Sequence, residues 1–308
     1  MLAPIVLFAY NRLNSLESTI NSLLKNKLSQ DSELFIFVDG PKNDEDVFNV
    51  EKVKEYVKQI NGFKNTKCFF SEKNNGLAAS IISGVTDIIN TYDKVIVIED
   101  DLLLSSNFLN YMNESLCHFK NKKNIFSISG YSVKVNKPIY DESDIFYHRR
   151  AHSWGWGTWK DRWETVDWEL RDSNEFINNR YIQKKFNKLG DDMSPMLINF
   201  INKKINSWYI RFCYEQFKQN KYTVYPYLSK VINQGFIESS THCNVYNRFR
   251  VNFDNTNKVK YIFNNNVNSN YITNKEFLYY FTNKSRIIGK LKTYLLKMNL
   301  IKQYNDNL

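Results

Sequence analysis

The chain has 308 residues, 43% of them apolar, and a formal net charge of +10. That length and apolar content suit a globular protein with one large core or two smaller ones, and no run approaches the ~18 apolar residues of a membrane span. Its four cysteines, Cys68, Cys117, Cys213 and Cys243, lie far apart without C-x-x-C spacing, which argues against a zinc site or a disulfide framework.

Met1-Leu2-Ala3-Pro4 leads directly into an apolar run without a basic leader, which points to the cytosol. Ile5–Ala9 reads as a buried strand, and Leu16, Ile20, Leu23 and Leu24 then form one helical face behind an Asn14 or Ser15 cap. Leu34–Val38 is the next strand, Val50, Val53, Val57 and Ile60 form a second helical face, and Cys68–Phe70 reads as a shorter strand. A third helix is expected from near Gly76. Val95-Ile96-Val97-Ile98 follows, an uninterrupted β-branched run expected to be buried on both faces, and it ends abruptly in Glu99-Asp100-Asp101. A fourth helix is expected from near Ser105. This βαβα order predicts a mostly parallel sheet with right-handed crossovers.

In an open α/β sheet, ligands bind at the carboxyl ends of the strands. The first strand ends in Tyr10-Asn11-Arg12, the second in Asp39-Gly40-Pro41, and the fourth in the three acids. Such an edge gathers an arginine for phosphate, a carboxylate for a base or ribose, and acids whose mutual repulsion a hard divalent cation would offset. Taken singly, the acids also read as a solvated turn and Asp39-Gly40-Pro41 as an ordinary one. Neither G-x-G-x-x-G nor a Walker lysine motif occurs.

Beyond residue 130, five of the six tryptophans fall at Trp154, Trp156, Trp159, Trp163 and Trp168, just after His148, Arg149, Arg150 and His152. Indole faces stack on sugar rings, so Trp154 and Trp156 are candidates for an acceptor platform, and Trp163 and Trp168 for packing. Most of the net charge is terminal: residues 248–308 carry eleven lysines and arginines against three acids. There Ile287, Ile288, Leu291, Tyr294, Leu295, Met298 and Ile301 recur at helical spacing between lysines, a pattern that suits an interfacial helix on anionic lipid or a helix packed on its own domain. No basic cluster interleaved with aromatics suggests nucleic acid. The Asn-rich stretch 254–270 reads as an exposed connection.

The order Ala9-Tyr10-Asn11-Arg12, Val38-Asp39-Gly40, Asn74-Asn75-Gly76-Leu77, Glu99-Asp100-Asp101 resembles the nucleotide-sugar domain of GT-A glycosyltransferases. In particular it is similar to bacterial family-two-like transferases related to animal N-acetylglucosaminyltransferase I. The likeness continues through Ser153–Trp159, Ser207-Trp208-Tyr209-Ile210-Arg211 and Gly235 to His242, covering roughly residues 3 to 245. The resemblance implies a GT-A α/β fold with a nucleotide-sugar half (1–130), an acceptor half (131–245) and a basic helical appendage (246–308). It implies transfer with inversion of a hexose or N-acetylhexosamine from a UDP-sugar to a growing bacterial surface glycan, such as lipopolysaccharide, and the C-terminal helix, holding the enzyme at the inner membrane face, points to a lipid-linked acceptor.

The same resemblance implies roles for single residues. Asp101 and His242 would hold Mn²⁺ or Mg²⁺, Asp100 would face the ribose or a metal-bound water, and Glu99 the sugar. Asp39 would contact the uracil or its ribose, Arg12 the base or phosphates, and Asn75 and Gly76 would bring a helix start to the donor. The general base does not transfer: Tyr209 and Ile210 stand where the animal relative has its aspartate, and Asn206 where bacterial relatives carry an acid. Asp192 and Glu215 are the candidates, with helix capping or pairing to Arg211 as their alternative roles. A nucleotidyltransferase and a non-catalytic glycan-binding protein are the rival classes; the first normally adds a glycine-rich phosphate loop, which is missing here.

Overall fold

The computed structural model describes residues 1–236, 245–268 and 270–302. The chain opens with β1 (Ile5–Ala9), α1 (Leu13–Leu24), β2 (Glu33–Val38), α2 (Asp44–Val57), β3 (Asn65–Phe70), α3 (Leu77–Tyr92) and β4 (Lys94–Glu99). It continues through β5 (Leu102–Leu104), α4 (Phe108–His118), β6 (Ile125–Ser129), β7 (Ile145–His148), β8 (Trp156–Trp159) and α5 (Lys160–Trp163). Then come α6 (Ser173–Asn178), α7 (Arg180–Phe186), α8 (Met193–Ile201), α9 (Trp208–Lys218), β9 (Tyr222–Pro226) and β10 (Val231–Asn233). Two helices, α10 (Tyr271–Tyr279) and α11 (Asn283–Lys297), end the described chain.

One eight-stranded sheet, in the order β3-β2-β1-β4-β8-β6-β9-β7, runs through both the first 130 residues and the segment after them. Its first four strands are mutually parallel, as the alternation of strands and helices predicts. Covered faces explain the continuous apolar runs. Ile5, Leu7, Ala9, Ile96 and Ile98 point into one core with α1, α2 and α4, while Val6, Phe8, Val95 and Val97 point into a second core with α3 and α9. Gly84 of α3 lies over β1 and β2, because a Cβ there would stand 2.9 Å from Phe8. Among the described residues no helix is long and apolar enough to cross a membrane.

Direction along the sheet fixes where the ligand edge lies. β8 is antiparallel to β4, β6 is antiparallel to β8, and β9 is parallel to β6. The ends of β1, β2, β4, β6 and β9 and the start of β8 therefore share one edge, to which β5 and β10 add a two-stranded sheet.

Three local expectations need correction. α1 begins at Leu13 with Arg12 as its cap residue, so Asn14 and Ser15 fall inside its first turn and cap nothing. Leu24 of its expected apolar face is 36% exposed. The stretch from 254 is no mere exposed connection: Tyr261, Phe263 and Val267 pack on the first core, and the Asp254 carboxylate is buried against the Lys230 ammonium and the Asn107 amide. An ammonium stripped of its buried partner pays desolvation without compensation, so Asp254→Ala should lower unfolding free energy by about 3–5 kcal/mol in urea titration. A change under ~1 kcal/mol would show that Lys230 finds water instead.

Candidate active site

Arg12 organises the ligand edge. The turn after β1 aims its guanidinium at the turn after β4, where it donates to Asp101 at 3.1 Å and forms a close pair with Asp100. The Asp100 carboxylate also accepts the Tyr10 backbone N–H at 3.3 Å, which ties the two strand ends together. Asp100 is almost wholly buried, and Arg12 is partly exposed. Burial pushes Asp100 up to about 6 against the opposing pull of Arg12, and burial with the nearby Asp101 and Asp100 charges pushes Glu99 up to about 8. Two carboxylates converging on one guanidinium make this a place that favours positive charge.

The neighbouring turns are latched by carboxylates as well. Asp39, at the end of β2, accepts backbone N–H groups from Asn75 and Gly76, both at 2.9 Å, and from Gly40 at 3.0 Å. Its carboxylate thus holds the turn before α3 in place, a structural task that sequence reasoning did not assign to it. Gly76 has φ +77° with open space where a Cβ would stand, so its need is conformational. Sequence reasoning also missed Asp46, in the first turn of α2, which accepts from the Tyr10 hydroxyl at 2.7 Å and the Asn11 amide at 2.6 Å. The only signal for it was the acidic start Asp44-Glu45-Asp46.

On the far side, β10 pairs with β5, and the Gln234 N–H donates to the Asp101 carbonyl at 2.8 Å. Gly235 lies against the Asp101 carboxylate, where a Cβ would come within 3.3 Å. His242 lies outside the described residues. Among the described residues no three His, Cys, Asp or Glu side chains converge as a complete metal-binding set. What this edge offers a divalent cation is the hard-oxygen pair Asp100 and Asp101, a partial set of the kind that substrate phosphates complete for Mg²⁺ or Mn²⁺.

The two candidate platform tryptophans part company. Trp154, in the loop before β8, packs edge-on against Tyr131 and His152 at the ligand edge, with ring centroids 4.6 and 4.8 Å away. Trp156 is 1% exposed and stacks on Trp208 and Trp163 in the second core. It therefore has no face to give a sugar and belongs with the packing residues.

Neither base candidate is free to act as one. Asp192 takes a two-pronged pair from the buried Arg150, at 2.8 and 2.9 Å, which holds its carboxyl below the usual range and makes it a poor proton acceptor. Glu215 binds Lys218 at 3.0 Å near the end of α9, which leads into the start of β9 on the opposite edge of the sheet. Arg211 pairs with neither acid, donating instead to the carbonyls of Trp168 and Ser207.

The family model described as "Glycosyl transferase family 2" matches residues 5–196, more than half of the chain. The chain belongs to glycosyl transferase family 2. Its sheet and flanking helices are those of the GT-A fold. Similar solved structures include S. aureus TarS (15% identity, 46% of this chain and 24% of that one, TM-score 0.32) and its 1–349 fragment in complex with UDP-GlcNAc (16%, 47% and 38%, 0.32). A mannosyltransferase from Pyrobaculum calidifontis in complex with GDP-Man and Mn²⁺ is another (9% identity, 52% and 46% coverage, TM-score 0.34). The chain thus spans less than half the length of each of these structures. No curated protein matches the chain significantly.

The raised Glu99 gives this family 2 site a signature in stability. In the window from an ordinary ~4.3 up to about 8, the native state binds more protons than the unfolded chain, so this group's contribution weakens as pH rises. Glu99→Gln should raise Tm by about 2–4 °C at pH 8 and leave it unchanged near pH 4. Differential scanning fluorimetry reads both, and an equal shift at the two pH values would contradict the assignment.

Proposed function

We propose that this transferase moves a hexose or N-acetylhexosamine from a UDP-sugar, with inversion and with a divalent cation, to a growing bacterial surface glycan. The acceptor in this reading is lipid-linked, and the enzyme works at the cytoplasmic face of a membrane. The observation that carries it is the convergence of Asp100 and Asp101 on one cationic group at the carboxyl edge of β1 and β4. A nucleoside diphosphate leaving an anomeric carbon gathers negative charge, and Mn²⁺ or Mg²⁺, when bound, neutralises it.

The chain's own groups take the remaining tasks. Asp100 and Asp101 would hold the cation, His242 would add a ligand from the segment after Gly235, and Arg12 would turn its guanidinium to the diphosphate. Glu99 would meet the sugar, with its raised proton affinity leaving it a donor to a sugar hydroxyl near neutral pH. Tyr10, Asn11, Asp39, Asn75 and Gly76 would frame the nucleoside. Trp154, with Tyr131 and His152 beside it, would stack on the acceptor sugar. UDP as the nucleotide and kinship with animal N-acetylglucosaminyltransferase I rest on the motif order from Ala9 to His242. The UDP-GlcNAc bound by the TarS fragment and the GDP-Man and Mn²⁺ bound by the Pyrobaculum calidifontis mannosyltransferase are of the chemistry expected here.

A panel of UDP-, GDP-, dTDP- and CMP-sugars, each with Mn²⁺ and with EDTA, tests the reading. Manganese-dependent thermal stabilisation and slow UDP release from one UDP-sugar are expected. Release unchanged by EDTA would remove the metal, and release of pyrophosphate would make the protein a nucleotidyltransferase. In the same assay Asp101→Asn should cut release at least ~100-fold with the fold intact. Trp154→Ala should raise the acceptor KM about tenfold or more while sparing donor hydrolysis, since stacking on a ring is worth on the order of 1 kcal/mol beyond its buried area. Equal losses of transfer and hydrolysis would assign Trp154 to the fold.

A further inference from the structure

α11 rests on the domain yet leaves a line of large apolar side chains outside. Its buried residues are Ser285 and Gly289. A Cβ on Gly289 would stand 3.1 Å from Arg248 Cδ, so the glycine seats the Arg248 chain beneath the helix. Thr293 Oγ1 accepts the Tyr246 N–H at 3.0 Å, and Lys292 reaches the Tyr246 hydroxyl at 3.4 Å. The most deeply buried points of the helix are therefore small and polar groups.

Ile288, Leu295 and Leu296 are partly buried, but four other large apolar side chains face solvent. Ile287 is 59% exposed, Leu291 61%, Tyr294 64% and Met298 51%. Positions i, i+4, i+7 and i+11 fall on one line along a helix, a stripe about 16 Å long at 1.5 Å per residue. Scattered exposed apolar residues are ordinary on a protein surface, but a contiguous stripe marks a contact. At 100° per residue, Lys284, Arg286, Lys290 and Lys297 lie on its two flanks, and all four are exposed. From Phe277 to Asn305 the sequence holds no aspartate or glutamate.

We infer that this stripe is a docking surface for an anionic lipid bilayer, with α11 lying in the interface plane, its apolar line among the acyl chains and its cations at the headgroups. The inference deepens the proposed function, resting on it only in placing a lipid-linked acceptor beside the enzyme. Charge selects the occupant. A second copy of the chain would bring like-charged flanks together, whereas anionic headgroups neutralise them. The helix is also joined to the rest of the protein: the Asn283 N–H donates to Asp191 at 2.7 Å, and Arg248 donates to the Tyr280 carbonyl at 2.6 Å. Docking the helix thus fixes the orientation of the segment that carries Asp192 and its partner Arg150.

The full chain is sedimented with phosphatidylcholine vesicles with and without phosphatidylglycerol, at low and high salt. Binding is expected only with phosphatidylglycerol and should fall steeply with salt. Replacing Lys284, Lys290 and Lys297 together by glutamine should weaken it about a hundredfold. Leu291→Gln with Tyr294→Gln should weaken it at least ~10-fold, with Tm and soluble UDP release as in the wild type because both side chains are exposed. Binding to neither vesicle, or binding that both variants retain, would overturn the inference. So would a concentration-dependent dimer in light scattering that Leu291→Gln dissolves, since that makes the stripe a self-association surface. UDP release is read separately, so loss of the proposed donor chemistry and loss of membrane binding are distinguishable.

Discussion

The arrangement of this site depends on one constraint: three acids at the end of a strand buried on both faces must be held where their charges repel. Arg12 is what meets it, reaching from the turn after β1 to Asp100 and Asp101 after β4. β1 lies between β2 and β4 in a parallel array, so the ends of all three strands meet at one edge, and the guanidinium clamps two of them. Residual negative charge remains after the clamp. Glu99 and Asp100 both hold protons more tightly than ordinary carboxylates, because burial penalises their charged forms and the neighbouring acids repel them. A polar edge of this kind is unfavourable as a resting structure, and a site that gathers phosphate and cation is one in which such a cost has a use.

The same logic of carboxylates serving backbone recurs around the edge. Asp39 uses both oxygens on N–H groups before α3, and Asp46 fixes Tyr10 and Asn11 beside Arg12. Strand ends are rigid because both faces of the sheet are packed, but the turns beyond them are not. These hydrogen bonds carry the rigidity outwards by one or two residues, to the groups that would meet a ligand.

The parallel half of the fold was legible in the sequence because burial on both faces leaves an unbroken apolar signature in Ile5–Ala9 and Val95–Ile98, and each run stops where its strand does. The acids and Arg12 were visible for the same reason, as polar residues directly after such runs. Contacts between distant segments were not legible. No periodicity links Asp46 to Tyr10 or Lys230 to Asp254, and tryptophan identity alone does not separate Trp154, in a loop, from Trp156, two residues on and inside a strand. Proposed bases failed on the same ground: spacing pointed to Asp192, but whether a carboxylate is free or already held by an arginine is decided by Arg150, forty-two residues away.

The C-terminal helix reverses the usual relation between pattern and packing. Its apolar period was plain in the sequence and fitted both an interfacial helix and one packed on its own domain; in the structure the helix rests on the domain through Ser285 and Gly289, with Ile288, Leu295 and Leu296 partly buried, and leaves Ile287, Leu291, Tyr294 and Met298 exposed. Part of its hydrophobic surface is therefore left without cover from its own domain. Its anchor runs through Asn283 and Asp191 to the turn holding Asp192, and Arg150 in turn stacks its guanidinium 3.9 Å over Phe281. Exposed stripe, anchor and the turn holding Asp192 are thus consecutive in space, so a surface bound at α11 would orient the segment that carries them.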